Sequence, residues 1–198
     1  MKVLVAGATG KTGLRLVGEL AARGHEPVAL VRESSDTDPL PEGTQQRNGD
    51  LTDLQDDVCA GCDAVVFAAG SGGDTGADMT DKVDRDGAKH LIDIAAKSGV
   101  KRFVMLSSIG TDDPPEDGEL AHYLQAKHEA DEHLKASGLD YAIVRPVALT
   151  EVDGNRDIRF GEDVDPQGKA ARGDVAFVLA NAVESAEWLG RTATMESV

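Results

Sequence analysis

The segment Met1-Lys-Val-Leu-Val-Ala-Gly-Ala-Thr-Gly-Lys-Thr-Gly13 combines three signals in a fixed order. Lys2 to Ala6 is a short apolar, β-branched run of the kind that forms a buried strand. It runs into Gly7, Gly10 and Gly13, and then into Leu14 to Ala22, where Leu14, Leu16, Val17 and Leu20 recur at helical spacing. Strand, glycine turn and helix together make the context of a phosphate-binding loop. In such a loop Gly7 takes a backbone angle closed to other residues, Gly10 admits a pyrophosphate, and Gly13 lets helix and strand pack closely. The helix start presents free N–H groups and a positive dipole end to the phosphates. The spacing is G-x-x-G-x-x-G, one residue wider than the dinucleotide fingerprint. Glycines alone serve tight turns everywhere, but their place between strand and helix points to a nucleotide site.

A chain of 198 residues suits a single α/β domain. Its apolar runs, such as Ala64 to Ala69, have strand length, and nothing reads as a signal peptide or a membrane span. The expectation is a soluble, cytoplasmic protein. Acidic residues number 36 against 20 basic ones, for a formal net charge of −16, and they are spread along the chain rather than gathered in a tail. A dispersed acidic coat repels itself unless counter-ions screen it. With Lys scarcer than Arg and few aromatics, this fits a halophilic protein of a high-salt cytoplasm; an ordinary acidic protein is the alternative. Nucleic acid is excluded as a natural partner, because a field of this sign repels phosphate backbones.

Cys59 and Cys62 form a C-x-x-C pair, which serves redox chemistry where a strand opens into a helix. Here the pair precedes a strand, and no second Cys or His pair completes a zinc set, so packing is the expected role. No metal site is expected.

Gly24 ends the first helix, and Glu26 to Arg32 forms a second strand. The residue closing this strand faces the adenosine ribose in dinucleotide folds. An acid there bonds the 2′-hydroxyl of NAD, and an Arg accommodates the 2′-phosphate of NADP. Arg32 holds that place, with Ser34 and Ser35 as further donors and Glu33 as a competing acid, so NADP is favoured and NAD stays open. Thr44 to Asn48 predicts a third strand. Asp50 after it either accepts from an adenine amino group or only caps the next turn. Thr52 is expected to start a short helix to about Ala60. Asp63 to Gly70 is the clearest core strand and breaks into a loop over Ser71 to Ala77 that is expected to line the cofactor crevice. Asp78 to Ser98 predicts one long helix, with Val83, Gly87, Leu91, Ile94 and Ala95 on one face.

Lys101 to Ser108 is the fifth strand, Thr111 to Gly118 a polar loop or lid, Glu119 to Ser137 a helix, and Asp140 to Pro146 the sixth strand. This alternation means a doubly wound parallel sheet with helices on both faces. Beyond it, residues 147–198 read as a small, irregular substrate-side segment. It carries a short strand near Ile158 to Phe160, a helix over Asp174 to Val183 and a last strand over Arg191 to Met195.

Tyr123 and Lys127 stand four apart on a helix, so phenol and ammonium share a face. An ammonium beside a phenol favours the phenolate, and such a pair passes a proton to or from a carbonyl or hydroxyl oxygen. A serine at the end of the adjacent strand steadies that oxygen, and Ser107 and Ser108 are the two candidates. His122 adjoins Tyr123 at the expected pocket rim. His128 and His133, with Glu129 and Glu132, read as solvated helix faces.

G-A-T-G-K-T-G, F-A-A-G, F-V-M-L-S-S-I-G, Y-L-Q-A-K-x-x-A-D and L-D-Y-A-I-V-R-P, in this order, resemble the atypical short-chain dehydrogenase/reductases. The likeness is to the compact NAD(P)-binding group that includes NmrA-like and biliverdin reductase B-like proteins. Arg172 to Val175 resembles the start of that group's C-terminal helix. The resemblance implies cofactor contacts at Gly7, Thr9, Gly10, Lys11, Thr12, Gly13, Arg32, Asp50, Leu51, Ala68, Ala69 and Gly70. It implies a proton-transfer set of Ser108, Tyr123 and Lys127, with Ser107 as rival to Ser108. Lys127 would also bond the nicotinamide ribose, flanked by Arg145, Pro146 and Val147. The implied activity is NAD(P)H-dependent oxidoreduction of a small carbonyl, quinone or flavin by a monomer or small homo-oligomer. The alternatives are a non-catalytic redox sensor or partner-binding protein, and a sugar-nucleotide epimerase-like enzyme.

Overall fold

The computed structural model describes residues 1–72 and 76–198. It begins with β1 (Lys2–Ala6), α1 (Lys11–Ala22), β2 (Glu26–Val31), β3 (Gln45–Asn48) and β4 (Ala64–Phe67). Next come α2 (Ala77–Thr80), a π-helical stretch (Asp81–Gly87), α3 (Ala88–Lys97), β5 (Arg102–Leu106) and α4 (Ala121–Ala136). β6 (Asp140–Pro146), β7 (Ala148–Thr150), β8 (Ile158–Phe160), β9 (Lys169–Ala171), α5 (Arg172–Glu184) and β10 (Arg191–Ser197) follow.

Among the described residues the main sheet has the order β3-β2-β1-β4-β5-β6-β10-β8. Every pairing is parallel except β10 with β8. The run β3-β2-β1-β4-β5-β6 is the doubly wound dinucleotide-binding order, and the winding reverses between β1 and β4. The crevice outside the carboxyl ends of those strands is where such sheets take ligands. β1 is apolar throughout because both its faces are covered. Val3 and Val5 pack with Leu16, Val17 and Leu20 of α1 and Leu179 of α5. Leu4 and Ala6 pack with Leu91, Ile92 and Ile94 of α3 and Leu134 of α4.

Four sequence expectations are corrected. Thr52 to Ala60 is a chain of turns, not a helix. Asp50 bonds the Thr52 N–H, and Val58 and Ala60 bond carbonyls only three residues back. Side-chain acceptors near the backbone compete with helix formation there. The long helix over Asp78 to Ser98 is interrupted by the π-helical stretch. There Gly87 packs so close to Leu51 that a Cβ would lie 2.7 Å from the Leu51 carbonyl oxygen. The region after Pro146 is more regular than expected, since β7 and β9 pair as a second, two-stranded parallel sheet. Finally, α5 starts at Arg172 rather than Asp174. Part of the crevice loop expected over Ser71 to Ala77, residues 73–75, lies outside the described residues.

Cys59 and Cys62 are buried in the core under α3. Burial, with Cys62 beside it, pushes the Cys59 thiol up to about 12, which fits packing rather than redox chemistry. No helix among the described residues is long and apolar enough to cross a membrane. The acidic surface carries its own expected result. The thermal unfolding midpoint should rise by several degrees from roughly 0.05 M to about 2 M KCl as self-repulsion is screened. A midpoint that stays level or falls would remove the high-salt reading.

Candidate functional site

β1 ends in the glycine loop. Gly7 stands at φ 82°, where a Cβ would lie 2.6 Å from the Ala69 nitrogen and 2.7 Å from the Ala68 carbonyl oxygen. Only glycine permits this crossing of the β1 and β4 ends. A Cβ on Gly13 would overlap the Gly7 carbonyl oxygen, so this glycine serves helix–strand contact from a buried position. Gly10 caps α1 with extended backbone and no side-chain cap bond, so the first N–H groups of the helix face the crevice. A backbone cradle closed by two obligatory glycines at a helix start suits a dinucleotide pyrophosphate.

The crevice has two connected halves that share Gly10 and Ala68 to Ser71. The smaller, of about 260 Å³, is lined by Thr9, Arg32, Ser35, Asp50, Leu51 and Val83, among others. The Ser35 hydroxyl accepts from the Arg32 N–H at 3.0 Å, which orders the turn after β2. Asp50 caps the turn that follows it and also lines the crevice. Its Oδ1 accepts the Thr52 N–H at 2.9 Å and hydroxyl at 2.8 Å, and the side chain lines the crevice. Those bonds hold its carboxyl below the usual carboxylate range.

The larger half, of about 610 Å³, is lined by Lys11, Thr12, Ser107, His122, Tyr123 and Lys127, together with Leu120, Leu149 and Arg172. Strand register separates the two serines. Val104 and Leu106 face α1 and α5, whereas Phe103 and Met105 face α3 and α4. Continuing that alternation sends Ser107 toward α4 and Ser108 away from it. Ser107 lines the crevice; Ser108 does not, and its hydroxyl donates to the Ile109 carbonyl at 3.3 Å. The same alternation turns Arg145 from the crevice into the layer between β6 and α4, and neither Pro146 nor Val147 lines the crevice. Of the polar loop over Thr111 to Gly118, none lines the crevice; Glu119 and Leu120 after it do.

Behind Tyr123 lies a buried group of four charges: Asp84, Lys127, Asp131 and Arg145, each at most 6% exposed. Asp131 Oδ2 accepts from Ser107 Oγ at 2.8 Å, Thr111 Oγ1 at 3.1 Å and Arg145 at 3.0 and 3.2 Å. With its hydrogen committed to Asp131, Ser107 can only accept toward the crevice. Lys127 Nζ lies 3.1 Å from Asp84 Oδ1, an ion pair too oblique for a hydrogen bond, and donates to the Leu106 carbonyl at 3.4 Å. Burial pushes this ammonium toward losing its proton, but Tyr123 and Asp84 outweigh that and hold its pKa above the usual lysine value. Two acids and two bases leave the group neutral overall, which is what burial of four charges requires.

A second contact joins the C-terminal segment to the glycine loop. Arg172 at the start of α5 donates to Thr12 Oγ1 at 2.8 Å and to Glu151 at 3.3 Å, and Lys11 donates to the same Glu151 oxygen at 2.9 Å. His122 Nε2 lies 3.0 Å from Asp81 at the rim. Sequence reasoning missed Asp84, Asp131 and Arg172 as site residues. Asp131 was signalled, since Tyr123, Lys127 and Asp131 repeat every four residues on α4. Asp84 and Arg172 carried no such signal.

Against known proteins, the chain matches a family model described as NAD(P)H-binding over residues 7–186. It is 39% identical over 182 residues to YhfK of Bacillus subtilis (strain 168), an uncharacterized sugar epimerase, covering 89% of this chain and 85% of that protein. The solved structure of a Bacillus halodurans protein superposes at TM-score 0.92 with 40% identity, covering 100% of this chain and 94% of that one. Its description as an NAD-dependent epimerase/dehydratase is provisional. The oxidoreductase ylbE of Lactococcus lactis superposes at TM-score 0.87 with 30% identity, covering 100% and 91%.

Proposed function

We propose that this chain, which belongs to the NAD(P)H-binding family, is an NADP-dependent oxidoreductase acting on a small carbonyl, quinone or flavin. The observation that carries the reading is the convergence of Tyr123, Lys127 and Ser107 on one crevice continuous with the glycine loop. A bound reduced nicotinamide supplies hydride to such a substrate. For a carbonyl reduced in this way, the Tyr123 hydroxyl would give its proton to the oxygen as the alcohol forms. Lys127 stands with its Nζ 5.6 Å from the centre of the Tyr123 ring and offers positive charge to the phenolate left behind. Ser107, able only to accept, holds the product hydroxyl rather than the starting carbonyl.

The 2′-phosphate preference rests on Arg32 beside Ser35 at the adenosine end. Arg32→Ala is expected to weaken NADPH binding about tenfold and leave NADH binding nearly unchanged. Equal loss of both, measured by calorimetric titration, would assign the site to NAD.

The reading is tested by NADPH oxidation in molar salt against quinones, aldehydes and flavins. Turnover of any class supports it and names the substrate type. Tight NADPH binding with no turnover across the panel moves the protein to the non-catalytic redox-sensor reading. A sugar-nucleotide epimerase-like activity is the further alternative, because two of the relatives carry epimerase in their descriptions. Against it stands the shortness of the segment after Pro146, which argues for a small substrate rather than a nucleotide-linked sugar. Interconversion of sugar-nucleotide epimers without net NADPH loss would favour it.

A further inference from the structure

We infer that Asp84 is the positioning residue of Lys127, tying its ammonium to the loop under the cofactor so that it meets the nicotinamide-side ribose in one register. The inference rests on the dinucleotide reading of the crevice. Asp84 is 1% exposed, on the π-helical stretch between α2 and α3. Its two oxygens face different partners: Oδ1 lies 3.1 Å from Lys127 Nζ, and Oδ2 accepts the Ser71 N–H at 2.9 Å. Gly70, the residue before Ser71, leaves room for this carboxylate, since a Cβ placed there would lie 3.3 Å from Asp84 Oδ1. Gly70 and Ser71 line both halves of the crevice. One carboxylate therefore spans the loop that the dinucleotide crosses and the cation that meets its far end.

Lysine reaches the crevice through four flexible carbons, and an ammonium so placed has many rotamers to lose. Here the Leu106 carbonyl takes one direction of the ammonium and Asp84 another. The rings of Phe67 and Tyr123 stand 5.9 and 5.6 Å away. Lys127 itself lines the crevice beside Tyr123. The π-helical turn is itself a costly local geometry that tends to mark functional positions, and it is the turn that carries Asp84. A buried partner needed only for neutrality would not also have to hold the cofactor loop.

The test is calorimetric titration of NADP⁺ and of 2′,5′-ADP, which lacks the nicotinamide mononucleotide half, on four proteins. These are the wild type, Asp84→Asn, Lys127→Met and the double variant. Asp84→Asn keeps an acceptor for Ser71 but loses the charge on Lys127. It is expected to weaken NADP⁺ about tenfold while 2′,5′-ADP stays within about twofold. In the Lys127→Met background the same change should alter NADP⁺ affinity by less than about twofold, because Asp84 acts through Lys127. Equal weakening of both ligands, unchanged NADP⁺ affinity, or independent effects in the double variant would each overturn the inference. Should Asp84→Asn fail to fold, Asp84→Glu, which keeps the charge but moves it by one carbon, takes its place with the same expected loss of NADP⁺ affinity and unchanged 2′,5′-ADP affinity. A wild type that binds neither ligand would overturn the dinucleotide reading itself, and a wild type that binds both keeps that question separate.

Discussion

Tyr123→Phe is expected to lower carbonyl turnover by about 10²- to 10⁴-fold while leaving NADPH affinity within about twofold. The phenylalanine ring keeps the shape of the crevice wall and removes only the hydroxyl. Its neighbours favour this separation of effects. Lys127 is held by Asp84 and Leu106, and Ser107 by Asp131, so neither depends on the tyrosine for its place. The measurement is kcat with saturating NADPH, alongside calorimetric binding of the cofactor. Turnover that survives would mean hydride passes directly to a flavin or quinone that needs no protein acid. Loss of binding together with turnover would make Tyr123 a structural wall.

The second large effect concerns stability. Asp131→Ala is expected to cost about 3–5 kcal/mol, because Arg145 then keeps only the exposed Asp112 carboxylate at 3.7 Å and Ser107 and Thr111 lose their shared acceptor. Replacing Asp131 by Leu and Arg145 by Met together should cost less than Asp131→Ala alone, since no charge is left stranded. Urea unfolding at an unchanged m-value measures both. A loss below about 1 kcal/mol for Asp131→Ala would mean that water reaches Arg145 and that the four charges are not a closed group.

These expectations draw unequally on what can be read in one dimension. The glycine loop was legible because its requirements are local. Gly7 needs a positive φ and Gly13 needs no side chain, and both needs are set within one strand–turn–helix unit. The sheet was legible from fully apolar runs such as Val3 to Ala6, which only a strand covered on both faces explains. The turns after Asp50 were misread as a helix, since the capping acid that starts helices also builds turns when bonded to its own neighbours.

By itself, then, the chain determined a parallel sheet wound in both directions, a phosphate loop at its first turn, and a tyrosine and lysine on one helix face. Each follows from spacings of two, three or four residues, the range over which backbone geometry imposes order. Tertiary structure alone decided that Ser107 rather than Ser108 meets the crevice, that Arg145 turns inward, and that Arg172 bonds the glycine loop at Thr12 across 160 residues. It also brought Asp84 against Lys127, 43 positions later in the chain. The reason is physical: a buried charge must find its partner in space, and spacing along the chain carries no record of which partner that will be.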